Sequence, residues 1–176
     1  MADTRLKTFS PQTLSIVIAQ NSTGITHVVG GFAENSMVTV AREMDAFTPY
    51  TGADNTPSRV FNPNSSLSVT ITLAQTSNSN AILSQLYAND IALLNDEGLF
   101  SITIKDTSGQ TVIYAEEAYI SKLPDASFTT SIENRDWVIT AVRSDYFLGG
   151  NSRFSPEDAA TLETLGGTIA PEWLPS

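Results

Sequence analysis

The chain of 176 residues is long enough for one well-packed domain and too short to divide into two with separate cores. Nineteen acidic residues against nine basic ones give a formal charge of −10, a field that repels phosphate backbones and argues against tight nucleic-acid binding. With no cysteine, disulfide frameworks, thiolate chemistry and zinc–cysteine sites are excluded.

Hydrophobic residues make up 41% of the chain, the composition of a folded protein with a real core. No apolar run approaches the ~20 residues that cross a bilayer, and residues 1–10 lack the apolar stretch of a signal peptide. The product is therefore expected to stay in the compartment where it is made. Asn21-Ser22-Thr23 and Asn64-Ser65-Ser66 match the glycosylation acceptor pattern and, without a secretory signal, read as chance. The acidic pairs Asp96-Glu97, Glu116-Glu117 and Glu157-Asp158 are spread along the chain and read as solubility.

Residues 13–20 and 24–30 predict two short strands around a turn at 21–24, and 36–42 predicts a third, so that the chain opens as a meander. Residues 43–65 hold Pro49, Pro57 and Pro63 among Phe47, Tyr50 and Phe61. This stretch reads as a long loop without regular structure, and its interleaved aromatics point to docking. In 66–73, Leu67, Val69, Ile71 and Leu73 alternate with Ser66, Ser68, Thr70 and Thr72, which gives a strand with one apolar and one hydroxyl face.

Over 80–94 the period changes. Ile82, Leu83, Leu86, Tyr87, Leu93 and Leu94 share one sector of a helical wheel, opposite Ser84, Gln85 and Asn89, and Ser79 or Asn80 is the expected cap. Asp90 falls within the apolar stripe. Such an aspartate pairs with an arginine, faces a subunit contact or reaches water, and the sequence leaves all three open. Phe100, Ile102 and Ile104 alternate with polar residues, 106–109 turns, and 110–120 returns as the second arm of a hairpin. Residues 135–142 predict a last strand with both faces covered. After Gly149-Gly150, Ser155, Pro156 and Gly166 mark the cap, first position and end of a short helix.

The chemistry of catalysis is sparse. His27 is the single histidine and lies in a predicted strand, where a partly buried structural histidine is expected. Gly30-Gly31 and Gly149-Gly150 lack the spacing of a phosphate loop. Carboxylates are numerous, yet Glu116 and Glu117 are strand neighbours that point to opposite faces unless a bulge intervenes. No enzyme, no cofactor and no metal site is expected.

The residues Gly52-Ala53-Asp54, then Arg59, then SVTITLAQTSNSNAIL (68–83) resemble a family of phage structural proteins that includes tail tube proteins of contractile-tailed bacteriophages. AYISKLPD (118–125) and NRDWVIT (134–140) resemble the same family, so the likeness spans about 13–145. It implies a mainly β fold of two packed antiparallel sheets, a tail-tube-like sandwich or barrel, flanked by one α-helix, with a long inter-strand loop. Residues 1–12 would be an N-terminal arm, 13–148 the β domain and 149–176 a C-terminal appendage.

The implied function is that of a tail tube subunit in the virion, assembled in the host cytoplasm, with hexameric rings stacked into a conduit for DNA. Sheath and baseplate proteins would be its partners, without membrane or specific DNA contact. In that arrangement Phe47, Tyr50, Arg59 and Phe61 belong to an arm reaching the next ring. Ser66, Ser68, Thr70, Thr72 and Glu116 line the lumen, and Asp90 is a candidate subunit contact. The alternatives are a baseplate, terminator or secretion-system tube protein, or, in another class, a carbohydrate-binding β-sandwich or an acid-pair hydrolase on one. That last class needs exposed aromatics on a strand face.

Overall fold

A computed structural model describes residues 6–175. Residues 1–5 of the expected N-terminal arm, and Ser176, lie outside the described residues. The elements are β1 (Leu14–Gln20), β2 (Ile25–Val28), β3 (Val38–Arg42), β4 (Phe47–Thr51), β5 (Pro57–Phe61) and β6 (Leu67–Ala74). They continue with α1 (Ser79–Leu93), β7 (Phe100–Asp106), β8 (Val112–Lys122), β9 (Asn134–Phe147) and α2 (Pro156–Thr164).

Seven strands hydrogen-bond in the order β2-β1-β7-β8-β9-β6-β3, every pair antiparallel. The expected opening meander is corrected here. β1 and β2 form a hairpin, but β3 pairs with β6 at the opposite edge of the sheet. The residues between them carry the chain across. Phe32 bridges Leu73, the Ala33 amide donates to the Thr72 carbonyl at 3.1 Å, and the Ala74 amide donates to the Gly31 carbonyl at 2.9 Å. Gly31 makes the crossing possible: its φ is +75°, and a Cβ there would stand 2.6 Å from Ser77 Cβ.

Because β2 lies at one edge and Phe32, four residues past its end, bonds to the strand beside the other edge, the sheet is rolled nearly closed. The strands expected as two packed sheets are thus halves of one continuous sheet facing each other over a single core. Ile16 and Ile18 of β1, Val69 and Ile71 of β6, Ile102 of β7 and Ile139 of β9 all belong to that core. Burying each such side chain contributes roughly 1.5–3 kcal/mol. Bulges between β7 and β8, and between β8 and β9, bend the long strands that both halves share.

Helix α1 covers the core with Leu83 and Leu86, assisted by Ile82 and Tyr87. The expected cap is corrected: Asn78 holds the N-cap position without a side-chain cap bond. Ser79 and Asn80 lie inside the first turn, and their side chains serve tertiary contacts instead. The apolar stripe also stops earlier than its spacing suggests. Leu93 is exposed, and Leu94 ends the helix in the left-handed conformation (φ 52°) at 83% exposure.

On β9, Arg135, Trp137, Ile139 and Ala141 are buried, whereas Val138, Thr140 and Val142 are half-buried. The second face of this strand is therefore not sealed within the chain, against expectation. The predicted C-terminal helix is present: Ser155 Oγ accepts from the Asp158 amide at 3.1 Å, Pro156 opens the helix, and Gly166 follows it at φ +83°. Residues 149–175 fold back onto the β7–β8 turn, where the Gln110 amide donates to the Gly150 carbonyl at 3.1 Å and Asn151 Nδ2 donates to Asp106 Oδ2 at 3.1 Å.

Candidate assembly surfaces

The segment 43–65 is not an irregular loop. β4 and β5 form a separate two-stranded sheet in which Phe47 faces Phe61, Thr48 faces Val60, Pro49 faces Arg59 and Tyr50 faces Ser58. In a two-stranded ribbon each strand has an open edge, so the prolines delete no ladder bond that a third strand would need. The five-residue turn is built by the Gly52 amide donating to the Thr56 carbonyl at 3.0 Å and by Asn55 at φ 65°. Asp54 Oδ1 accepts from the Thr56 amide at 3.1 Å, and hydrogen bonds from Thr56 hold its carboxyl below the usual aspartate range.

Every residue of both strands is exposed. One face carries Phe47 and Phe61 with ring centroids 5.5 Å apart, and the Arg59 guanidinium stands 4.2 Å over the Phe47 ring. Tyr50 lies on the other face, next to Val60 rather than the phenylalanines. Sequence reasoning grouped three aromatics and missed Val60 and Met44, which are 58% and 51% exposed. Alternation through 57–61 was the available signal, masked by Pro57 and Pro49. An isolated two-stranded ribbon is only marginally stable in water, so this apolar projection suits burial against a partner.

The hydroxyl side of β6 faces away from the core. Ser68 is paired with Thr140 of β9 and Ala41 of β3, and Thr70 with Val138 and Thr39, so small neutral side chains continue over three strands. Ser66 precedes the strand, with its amide bonded to Asn64 Oδ1 at 2.9 Å. Thr72 departs from the group at 8% exposure, enclosed where the 32–37 segment crosses. Glu116 lies on the same outer side, on β8. The β8 bulge sits at Glu116 and Glu117: Ala115 faces Ile102, Ala118 faces Phe100, and both alanines are buried. Both glutamates consequently project outward, and the expectation of opposite faces is corrected. Glu117 pairs with Arg143, itself at φ 51°.

Asp90 is half-buried and makes no ion pair among the described residues; it lies against Gly98, where a Cβ would come 2.8 Å from the Asp90 Cα. His27 Nε2 lies 2.9 Å from Ser79 Oγ, which also accepts from the Gly30 amide at 3.1 Å, so the histidine braces β2 against α1. Two aromatics that the sequence left unplaced, Tyr114 and Tyr119, lie on the outer face of β8 at 40% and 38% exposure. Among the described residues no group of three or more acidic or histidine side chains could hold a metal ion.

These surfaces, a rolled β-sheet with an outward hydroxyl wall and a projecting apolar hairpin, define a β-sheet structural protein. The chain belongs to the bacteriophage PhiTE tail tube protein family, which it matches over residues 6–149. It is 42% identical over 170 residues to "Structural protein ORF10" of Pseudomonas phage KPP10, covering 97% of this chain and 98% of that protein, so the relative shares most of the C-terminal segment. Among solved structures, the anti-feeding prophage cap (AFP tube terminating cap) aligns with 83% of this chain and 97% of that chain at TM-score 0.49 and 13% identity. A likeness of that depth carries no weight on function.

Proposed function

We propose that the chain is the repeating subunit of a phage tail tube: six copies close a ring, rings stack, and DNA leaves through the channel. The observation that carries this reading is the β4–β5 hairpin, which holds its apolar side chains clear of its own domain. Axial stacking needs an element that projects, while neighbours within a ring can meet through sheet edges and outer faces. Phe47, Arg59 and Phe61 form the contact face toward the next ring, and Tyr50 with Val60 grips the opposite wall of the same seat. Ser66, Ser68 and Thr70 line the lumen with Glu116 nearby. Small neutral and acidic groups let a polyanion slide, where a basic wall would hold it by counterion release.

In this reading the subunit works by polymerisation, without catalysis or cofactor, in a contractile tail with sheath and baseplate proteins as partners. It is assembled in the host cytoplasm and functions in the virion. Asp90 is a subunit contact. Negative-stain microscopy of the purified protein is the direct test. Rings or tubes are expected, and a monodisperse monomer under all solution conditions sinks the reading. A hydrolase activity abolished by His27→Ala with the fold intact would sink the non-catalytic part.

A further inference from the structure

Arg135 is the exception among the described cations. It is 9% exposed, yet no carboxylate of the described residues lies within ion-pair distance. Nη2 donates to the Ser127 carbonyl at 3.2 Å, Nη1 donates weakly to the Asn134 carbonyl at 3.5 Å, and the guanidinium carbon stands 5.4 Å from the Phe128 ring centroid. A guanidinium has five donors, so most of its hydrogen-bonding capacity is unused. Among the described residues no fully buried side-chain nitrogen is without any partner, so Nε, which has none, keeps contact with solvent space. That space is a groove of about 310 Å3 between α1 and the 123–133 segment, lined by Asn80, Ser84, Leu123, Phe128 and Trp137 as well as Arg135. At 9% exposure the guanidinium keeps little of its hydration and has no counter-ion, and a carboxylate entering the groove would supply paired, charge-assisted hydrogen bonds.

We propose that Arg135 is the base of a socket that receives an aspartate or glutamate side chain from a second copy of this chain. The proposal rests on the reading of the protein as an assembling subunit. Charge complementarity selects the occupant: with nineteen acidic residues against nine basic ones, a neighbouring copy presents carboxylates in excess, whereas a net −10 chain repels phosphate-bearing ligands. The rim has the form of a contact centre. Leu123 and Phe128, 41% and 79% exposed, line the groove beside the buried arginine, the arrangement in which apolar side chains exclude water from a charged pair. The carboxylates of the same segment do not fill the role. Glu133 accepts from Thr129 Oγ1 at 2.6 Å, and Asp125 is exposed outside ion-pair distance.

The test is the protein concentration at which Arg135→Gln pellets as polymer, beside wild type, with thermal unfolding of the soluble protein as the check on folding. A tenfold or larger rise is expected with the fold retained, and Arg135→Lys, which keeps charge without the planar fork, should fall between. Cryo-microscopy of wild-type polymer should place a neighbouring copy's carboxylate within ion-pair distance of the guanidinium. This reading decides the matter should Arg135→Gln not fold. Assembly of folded Arg135→Gln at the wild-type concentration overturns the socket and leaves the tube reading standing. So does a polymer in which the guanidinium is empty or is met by Asp125 of its own chain. A wild-type chain that never assembles fails the tube reading itself and removes the occupant with it.

Discussion

Trp137 Nε1 donates a 2.9 Å hydrogen bond to Asn80 Oδ1, joining the centre of β9 to the first turn of α1. The same asparagine donates through Nδ2 to the carbonyls of Ala74 at 2.9 Å and Ser77 at 3.1 Å, so one amide fastens the end of β6, the start of the helix and the sheet's last strand. Asn80→Ala leaves the indole N–H of a tryptophan that is 2% exposed without its partner. Stranding a buried donor costs about 1–3 kcal/mol. The expected result in urea unfolding is a loss of that size, and Trp137→Phe added to Asn80→Ala should cost less than the sum of the two single changes. Strict additivity would mean that the bond contributes nothing.

Deleting residues 50–57 removes the tip of the β4–β5 hairpin and touches no bond of the main sheet. The soluble protein should unfold within about 1 kcal/mol of wild type, as exposed changes away from a core do. Rings should still form while extension into tubes is lost, which electron microscopy reads directly. Tubes of normal length from the deletion would refute the role given to the hairpin. Arg59→Ala, which removes the cation above Phe47, is the milder version and should shorten tubes without affecting the fold.

Ser68→Lys with Thr70→Lys adds two cations to the half-buried hydroxyl wall. Tubes should assemble, and DNA release from particles carrying the double variant should slow at low salt and recover toward wild type as salt rises, because each phosphate contact displaces counterions. Release unchanged at low salt would place that wall elsewhere. Thr72 is unsuited to the same experiment, since at 8% exposure a lysine there would be driven into the 32–37 crossing.

Asp106 should impose a pH dependence on the C-terminal segment. Burial raises its carboxyl pKa, but hydrogen bonds from Ser108, Asn151 and Thr13 outweigh that effect and hold it below the usual aspartate range. A carboxylate with a depressed folded pKa contributes stability that is fully present above the unfolded value, about 3.9, and is lost as pH falls through the lower folded value. Wild type should therefore lose stability more steeply than Asp106→Asn as pH is taken below about 3.9. Limited proteolysis after residue 149 should become faster for Asp106→Asn at neutral pH, since Asn151 loses a charged acceptor. Equal cleavage rates would show that the segment is held by other contacts.

The elements most legible in the sequence were those whose pattern is local. Alternation from Leu67 to Leu73 describes β6, and Ser155-Pro156 marks the start of α2, because a strand face and a cap are each decided within a few residues. Three things were not legible. The edge on which β3 pairs depends on Phe32 meeting Leu73, a contact about forty residues apart in sequence that no short window contains. The outward turn of both Glu116 and Glu117 depends on one extra residue between Ala115 and Ala118, and bulges leave no mark in residue type. Pro49 and Pro57 read as breakers, which they are in a central strand but not in a free ribbon. Of the candidate site, the aromatic content of the hairpin and the hydroxyl wall were readable. The buried isolation of Arg135 was not, since the absence of a counter-ion is a property of the folded surroundings.

The position of β9 has a consequence for synthesis. It is the last strand made, yet it sits between β6 and β8, and β1 must likewise wait for β7 before its inner edge is paired. Until the ribosome has released residues as far as Phe147, each nascent chain carries β6 and β8 with unpaired backbone groups, the kind of edge that recruits strands from other chains. Distant pairings of this sort fold slowly. The β4–β5 hairpin, closed by its own five-residue turn, can form long before. A premature stop ahead of β9 would therefore yield a product whose sheet stays open and offers its unpaired strand edges to neighbouring chains.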